Sequence, residues 1–388
     1  MKKPANILMV HNFYRQAGGE DAVFRMERDL LTKHGHQVAT LEADNRDTEG
    51  LPAPKVFGDS IWSREQARSL TELIRSFRPE IVHFHNTFFR ISPAAIWAAR
   101  SEGVPVVQTL HNFRLACVNG LLFRDGRPCE TCVGKPFAWP GIRHKCYHDS
   151  HVHSASVAVA STLHAALGTY RNKVNAYIAL SRFSREKFIR HGLPAEKIHV
   201  KGNFIDPDPG PGDHGGEYAL FVGRLSPEKG LPILLKAWET GLIDLPLKIA
   251  GSGPLEELLR SSNPSCVEFS GQLDRTQILQ LMKNATVLIF PSQVYENFPV
   301  TIVEAFATGL PVIASDLGAM AEIVGTEFGY LFRADDPRSL ADTVRAALAS
   351  RKELEAKGMK ARERFVGSLS AECNYRDLIG IYRAAAET

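Results

Sequence analysis

The stretch that decides the fold runs Tyr295-Glu296-Asn297-Phe298-Pro299-Val300-Thr301-Ile302-Val303-Glu304-Ala305-Phe306-Ala307-Thr308-Gly309-Leu310-Pro311-Val312-Ile313-Ala314. It follows Val287 to Phe290, an apolar run of strand length, and enters a helix near Pro299, because proline suits a first helical turn. Gly309-Leu310-Pro311 then stops the helix and Val312 to Ala314 starts another strand. Strand, helix and strand in this order point to a parallel sheet. In open sheets of that kind ligands sit beyond the C-terminal strand ends, where the next helix offers unbonded N–H groups and the positive end of its dipole. Glu296 therefore lies at the mouth of a candidate site, and Glu304 follows about two helical turns later on roughly the same side. A carboxylate there is an acceptor suited to the hydroxyls of a ribose or a hexose.

The same rhythm extends in both directions. Tyr218 to Val222, Leu247 to Ala250 and Val267 to Ser270 precede it as strands, with helices such as Leu231 to Thr240 and Arg275 to Asn284 between. In the first half the strands are Ile7 to His11, Val38 to Leu41, Ile81 to His85, Val106 to Leu110 and Ala176 to Leu180. The helix Glu20 to His34 would place Ala22, Val23, Met26, Leu30 and Leu31 on one face. The chain has 388 residues, enough for two domains with their own cores. Asn203 to Gly212, with three prolines and two glycines, reads as the linker between them, and its Asp206-x-Asp208 reads as linker polarity, not a metal site.

Composition narrows the function classes. With 44% apolar and 23% charged residues the chain is neither disordered nor fibrous. No apolar run reaches the roughly 18 residues of a membrane span, and Met1 leads into no signal-peptide core, so a cytoplasmic protein is expected. The net charge of +3 hides an asymmetry: residues 1–200 hold 27 Lys+Arg against 18 Asp+Glu, and the remainder 19 against 25. The first half is thus +9, fitting a surface that meets anionic lipid or a lipid-diphosphate, and the second −6. Nucleic acid is not an expected partner.

Three further turns carry chemistry. Gly223-Arg224-Leu225-Ser226-Pro227-Glu228-Lys229-Gly230 joins a strand to a helix and sets two cations where a diphosphate can be held. It is no Walker loop, since Gly230 stands where a Ser or Thr would hold Mg²⁺. Gly251-Ser252-Gly253-Pro254 follows the next strand but lacks the third glycine and the acid of a dinucleotide fingerprint, which disfavours a dehydrogenase. Near the N-terminus Gly18-Gly19 opens a helix, and His83, His85 and His111 cluster at strand ends on the crevice side.

The ordered set Gly18-Gly19, His111, Gly223-Arg224-x4-Lys229-Gly230, Gly251-x-Gly253-Pro254 and Glu296-x7-Glu304 resembles the family-4 retaining glycosyltransferases (glycosyl transferases group 1), over nearly the whole chain. The resemblance implies an α/β protein of the GT-B fold, two doubly wound Rossmann-like domains facing each other across a cleft. Residues 1–203 with 370–388 would form the acceptor-binding domain and 204–369 the donor-binding domain. It implies a hexosyltransferase that moves a sugar from a UDP- or GDP-sugar to a glycan or polyprenyl-linked acceptor in cell-surface polysaccharide synthesis; the +9 first half adds the expectation of a place peripheral to the inner face of the membrane. Arg224 and Lys229 would clamp the pyrophosphate, Glu304 the ribose, and Glu296 with the backbone of Asn297 and Phe298 the donor sugar. Gly18, Gly19 and Gly253 would approach the donor, Gln272 in Gly271-Gln272-Leu273 would face the base, and His111 would lie beside the reacting centre. No catalytic metal is implied. The same fold also serves sugar-nucleotide 2-epimerases and disaccharide phosphorylases, and a non-catalytic sugar-nucleotide-binding protein is a further reading. His83-x-His85 with the cysteines would suit a zinc hydrolase, which leaves Arg224 and Glu296 without a role.

Cys117, Cys129, Cys132 and Cys146 lie after His111 in an insertion rich in Gly, Arg and aromatic residues. Their Cys-x2-Cys core with flanking cysteines has the spacing of a structural zinc site, with His144 and His148 as substitute ligands; four reduced buried thiols are the other reading.

Overall fold

The structure is a computed structural model that describes residues 5–15, 18–261 and 266–387. The chain divides into two compact units, Met1–Leu122, Glu130–Gly202 and Glu372–Thr388 in the first, and Phe123–Cys129 with Asn203–Ala371 in the second. The hairpin segment Phe123–Cys129 thus clusters with the second unit, where the expected boundary places it in the first.

Among the described residues the first unit holds a six-stranded parallel sheet: β1 (Asn6–Phe13), β2 (Gln37–Asp44), β3 (Ile81–Asn86), β4 (Val106–Leu110), β5 (Ala176–Ala179) and β6 (Ile198–Val200), in the order β2-β1-β3-β4-β5-β6. Strands β3, β4 and β5 are buried along their whole length, as strands covered on both faces must be. Strand β6 adds to the expected set; in Ile198-His199-Val200 the histidine interrupts the apolar run. Helix α1 (Gly19–Lys33) buries Asp21, Val23, Phe24, Glu27, Leu30 and Leu31. The expected face is therefore rotated: Phe24 and Glu27 replace Ala22 and Met26, which are half-buried. The helix Ala371–Ala386 packs into this unit through two tyrosine hydroxyls, Tyr382 Oη meeting His83 Nδ1 at 2.8 Å and Tyr375 Oη meeting His36 Nε2 at 2.9 Å.

The second unit repeats the plan with β7 (Ala219–Val222), β8 (Leu247–Ala250), β9 (Val267–Gly271), β10 (Val287–Phe290), β11 (Val312–Ser315) and β12 (Gly329–Phe332), ordered β9-β8-β7-β10-β11-β12. Helix α2 (Leu231–Glu239) follows the turn after β7, and helix α3 (Val300–Thr308) joins β10 to β11. The order reverses between β7 and β10, the topological switch point at which ligands bind in such sheets. The core joins Phe221, Leu234, Trp238, Ile249 and Ile289 to Leu340 and Val344, giving the helices on the sheet an apolar bed. The linker reading of Asn203 to Gly212 needs correction at its start: Phe204 and Ile205 are buried, and Ile205 bridges to Ser370. Asp208 takes both Nη atoms of Arg362 as an ion pair (2.6 and 2.7 Å).

Candidate active site

In the second unit the three loops after β7, β8 and β9 interlock beside the switch point. After β7, Gly223 N donates to Ala250 O (3.1 Å) and Leu225 N to Ser252 O (2.9 Å), so this turn is tied to the one after β8. Gly251 N donates to Gly271 O (2.8 Å), tying in the turn after β9. The closeness demands glycine. A Cβ on Gly230, at φ +78°, would meet Pro291 O at 1.8 Å, and one on Gly251, at φ +148°, would meet Gly223 O at 1.9 Å.

This packing sets Lys229 against the loop after β10. Its ammonium donates to Glu296 Oε1 (2.5 Å), and Ser292 Oγ donates to the same oxygen (2.8 Å). The pair is only partly shielded, with the Lys229 side chain 31% and the Glu296 side chain 15% exposed. Arg224 is exposed on the same turn. Asn203 Nδ2 donates to Phe298 O (2.6 Å) and fixes the loop just before α3.

On α3 itself, Glu304 is buried and faces Arg275 Nε at 3.4 Å. Burial pushes its carboxyl above the usual range, and Arg275 pulls the other way. Gln272 Oε1 accepts from Ser252 Oγ (3.2 Å). Of the residues expected from the sequence, the structure thus brings Lys229 directly to Glu296 and packs Gly253 onto the Leu225 backbone, where a Cβ would meet Leu225 O at 2.5 Å. Sequence reasoning misses Ser292 and Arg275, and no spacing marks either.

In the first unit, Gly18 N donates to Asp21 Oδ2 (3.0 Å), and Asp21 Oδ1 meets His11 Nε2 at 2.7 Å. A Cβ on Gly18 would meet nothing within 4 Å, so internal packing does not require the glycine. His111 Nε2 meets His85 Nδ1 at 3.0 Å, and burial holds the His111 imidazole well below its usual pKa, hence neutral. Beside it, Asn112 Nδ2 donates to Glu20 Oε2 (3.3 Å) and to Tyr14 Oη (3.2 Å). Burial, with Asp21 next to it, raises the Glu20 carboxyl to about 8. His83 Nε2 meets Thr109 Oγ1 at 2.8 Å, and His83, His85 and Glu27 place ligating atoms within 4.8 Å of one another. Glu27 is also absent from the expected set, although an acid three residues after Phe24 and four after Val23 falls on the inward face.

The cysteines are placed as follows. Cys117 Sγ donates to Asn119 Oδ1 (3.0 Å), Cys132 is buried, and Cys146 packs on the cluster of Val118, Val157 and Ala158. Cys129 falls on the segment that clusters with the second unit.

Two family models match the chain: "Glycosyltransferase Family 4" over residues 18–209 and "Glycosyl transferases group 1" over residues 206–364. A phosphatidyl-myo-inositol mannosyltransferase of Mycobacterium leprae is 38% identical over 168 residues, 40% of this chain and 44% of that one. The match therefore spans less than half of that relative. A glycogen synthase of Mycobacterium tuberculosis is 25% identical over 331 residues, 80% of this chain and 70% of that one. Among solved structures, sucrose-phosphate synthase of Thermosynechococcus elongatus superposes with a TM-score of 0.71 at 17% identity, covering 98% of both chains. HepE of Anabaena, in complex with UDP and glucose, gives 0.66 at 17% identity, covering 97% of this chain and 99% of that one.

Proposed function

Given that the chain belongs to the family-4 (group 1) glycosyltransferases, a transferase acting on sugars, we propose that it is a retaining enzyme that takes its sugar from a nucleotide-diphosphate donor. The observation that carries this reading is the Lys229–Glu296 pair at the switch point, with Arg224 exposed beside it and the N-terminus of α3 behind the same loop. The two cations stabilise the charge that develops on the departing diphosphate, and Glu296 accepts from sugar hydroxyls. Glu304 holds the ribose. Gln272 faces the base. The space above Gly18 supports close approach of the donor to that backbone, and His111 lies beside the reacting carbon. UDP in the HepE complex supports a uridine donor, with GDP-sugars as the other arm of the test.

The acceptor is a glycan or polyprenyl-linked sugar of a cell-surface polysaccharide. Among the described residues no helix is long and apolar enough to cross a membrane. Peripheral contact with an anionic membrane is supported by the +9 charge of residues 1–200 and by the helix His151–Ala166, which has no Asp, Glu, Lys or Arg and exposes Val152, Val159 and Leu163. The cysteine spacing supports structural zinc, which metal analysis of tag-free protein tests.

The deciding experiment incubates the chain with a panel of UDP- and GDP-sugars, reading thermal shift, transfer and the anomeric configuration of the product. One donor should raise Tm and give a product of retained configuration. Inversion, C2 epimerisation without transfer, or stabilisation without any turnover would each overturn the reading.

A further inference from the structure

The first unit buries an ion pair that the proposed reaction does not use. Glu27, on the inward face of α1, accepts from Lys201 Nζ at 2.6 Å, and the two side chains are 1% and 3% exposed. Buried charges of this kind cost desolvation and are weak evidence of added stability, so their placement calls for another reason. The second carboxylate oxygen supplies one. Glu27 Oε2 faces His85 Nε2 at 3.3 Å, a close charge contact short of hydrogen-bond geometry, and neither of these buried atoms has a hydrogen-bond partner. On its other side, His85 Nδ1 meets His111 Nε2 at 3.0 Å.

We infer that Glu27 is a positioning residue that fixes the tautomer of His111 through His85. A carboxylate can only accept, so the His85 nitrogen facing it carries the proton. The opposite nitrogen, Nδ1, then holds a lone pair and must accept from His111. That places the His111 proton on Nε2 and leaves Nδ1 as its basic nitrogen. The charge states agree. Burial alone would raise the Glu27 carboxyl, but Lys201 and the two histidines hold it well below the usual range, while burial keeps His85 and His111 neutral. The groups facing this chain are Asp21 and Glu27 from α1, His11 from β1, His83 and His85 from β3, Lys201 after β6, and Tyr382 from the helix Ala371–Ala386. A metal ion at Glu27, His83 and His85 is the competing assignment. It is disfavoured because Lys201 already supplies the positive charge and both His83 nitrogens are engaged, by Tyr382 and Thr109.

The inference bears on catalysis only if His111 lies beside the reacting centre, as proposed above. The test therefore reads tautomers first. In the full chain labelled with ¹⁵N-histidine, two-bond proton–nitrogen correlations should show both His85 and His111 protonated on Nε2 from about pH 6 to about pH 8. A proton on Nδ1 of either ring, or a metal-bound His85, overturns the inference. The paired variant Glu27→Leu with Lys201→Met removes both charges together, so that no lone charge stays buried. It should mix the tautomers and lower kcat by about 10- to 100-fold, with KM for the donor within about twofold. Unchanged tautomers in a folded variant overturn the inference. If that variant does not fold, the wild-type tautomers decide alone. Correct tautomers in a chain that transfers no sugar would sink the functional reading and leave the relay standing.

Discussion

Lys229 and Glu296, 67 residues apart in sequence, meet at 2.5 Å because the turns after β7 and β10 lie side by side at the point where the sheet order reverses. If the site takes the proposed donor, a cation held this way is aimed before it arrives and need not reorganise as leaving-group charge builds. Replacing Lys229 or Arg224 by Ala should lower kcat/KM by more than about a hundredfold, the scale of losing one such donor. Near-normal turnover in both variants would remove the clamp assignment.

Glu304 is a buried carboxyl with Arg275 as its partner. If it accepts from ribose hydroxyls, Glu304→Ala should weaken donor binding by about 10-fold or more, since a polar site left without its acceptor discriminates strongly. Calorimetric titration with the nucleotide diphosphate alone reads this directly. An unchanged Kd would move the ribose elsewhere.

The raised Glu20 carboxyl predicts a pH-dependent stability. The folded state keeps a proton that the unfolded chain has lost, so stability falls as pH climbs from about 4.5 towards about 8. Glu20→Gln should flatten that decline, giving a Tm above wild type at pH 8 and level with it near pH 4. Parallel Tm curves for the two proteins across this range would refute the shift.

Gly230 lies at φ +78° with its missing Cβ directed at Pro291 O. Gly230→Ala should destabilise the chain by about 1–3 kcal/mol and displace Lys229 from Glu296. Urea unfolding measures the first effect and loss of activity below the transition the second. A fully stable, fully active variant would show that the turns yield easily.

The candidate site in the second unit is readable in the sequence because it uses local patterns: glycines and cations at a strand end, and a proline that starts a helix. Strands β10 and β11 and helix α3 follow from runs such as Val287 to Phe290 and from Pro299 and Gly309, each acting on its immediate neighbours. Ser292 and Arg275 are not readable, because their meaning comes from the residues they touch across the fold. Glu27 stands in between. Its place on the apolar stripe of α1 is visible, but its partners Lys201 and His85 lie 174 and 58 residues away. The short strands Ile198–Val200 and Gly329–Phe332 are not readable because a central histidine and a leading glycine break the apolar run by which strands as short as Val312 to Ala314 are found.

The helix Ala371–Ala386 belongs to the unit that contains β1. Tyr382 reaches His83 across 299 residues, so the first unit is an interrupted chain and the second is the interruption. During synthesis, residues 203–371 are all made before this helix exists, and the second unit can finish folding first. The first unit must wait, its buried histidines open on the side that Tyr382 will cover. A chain cut back to residue 371 should therefore keep every strand and helix of the second unit and leave the first short of one wall.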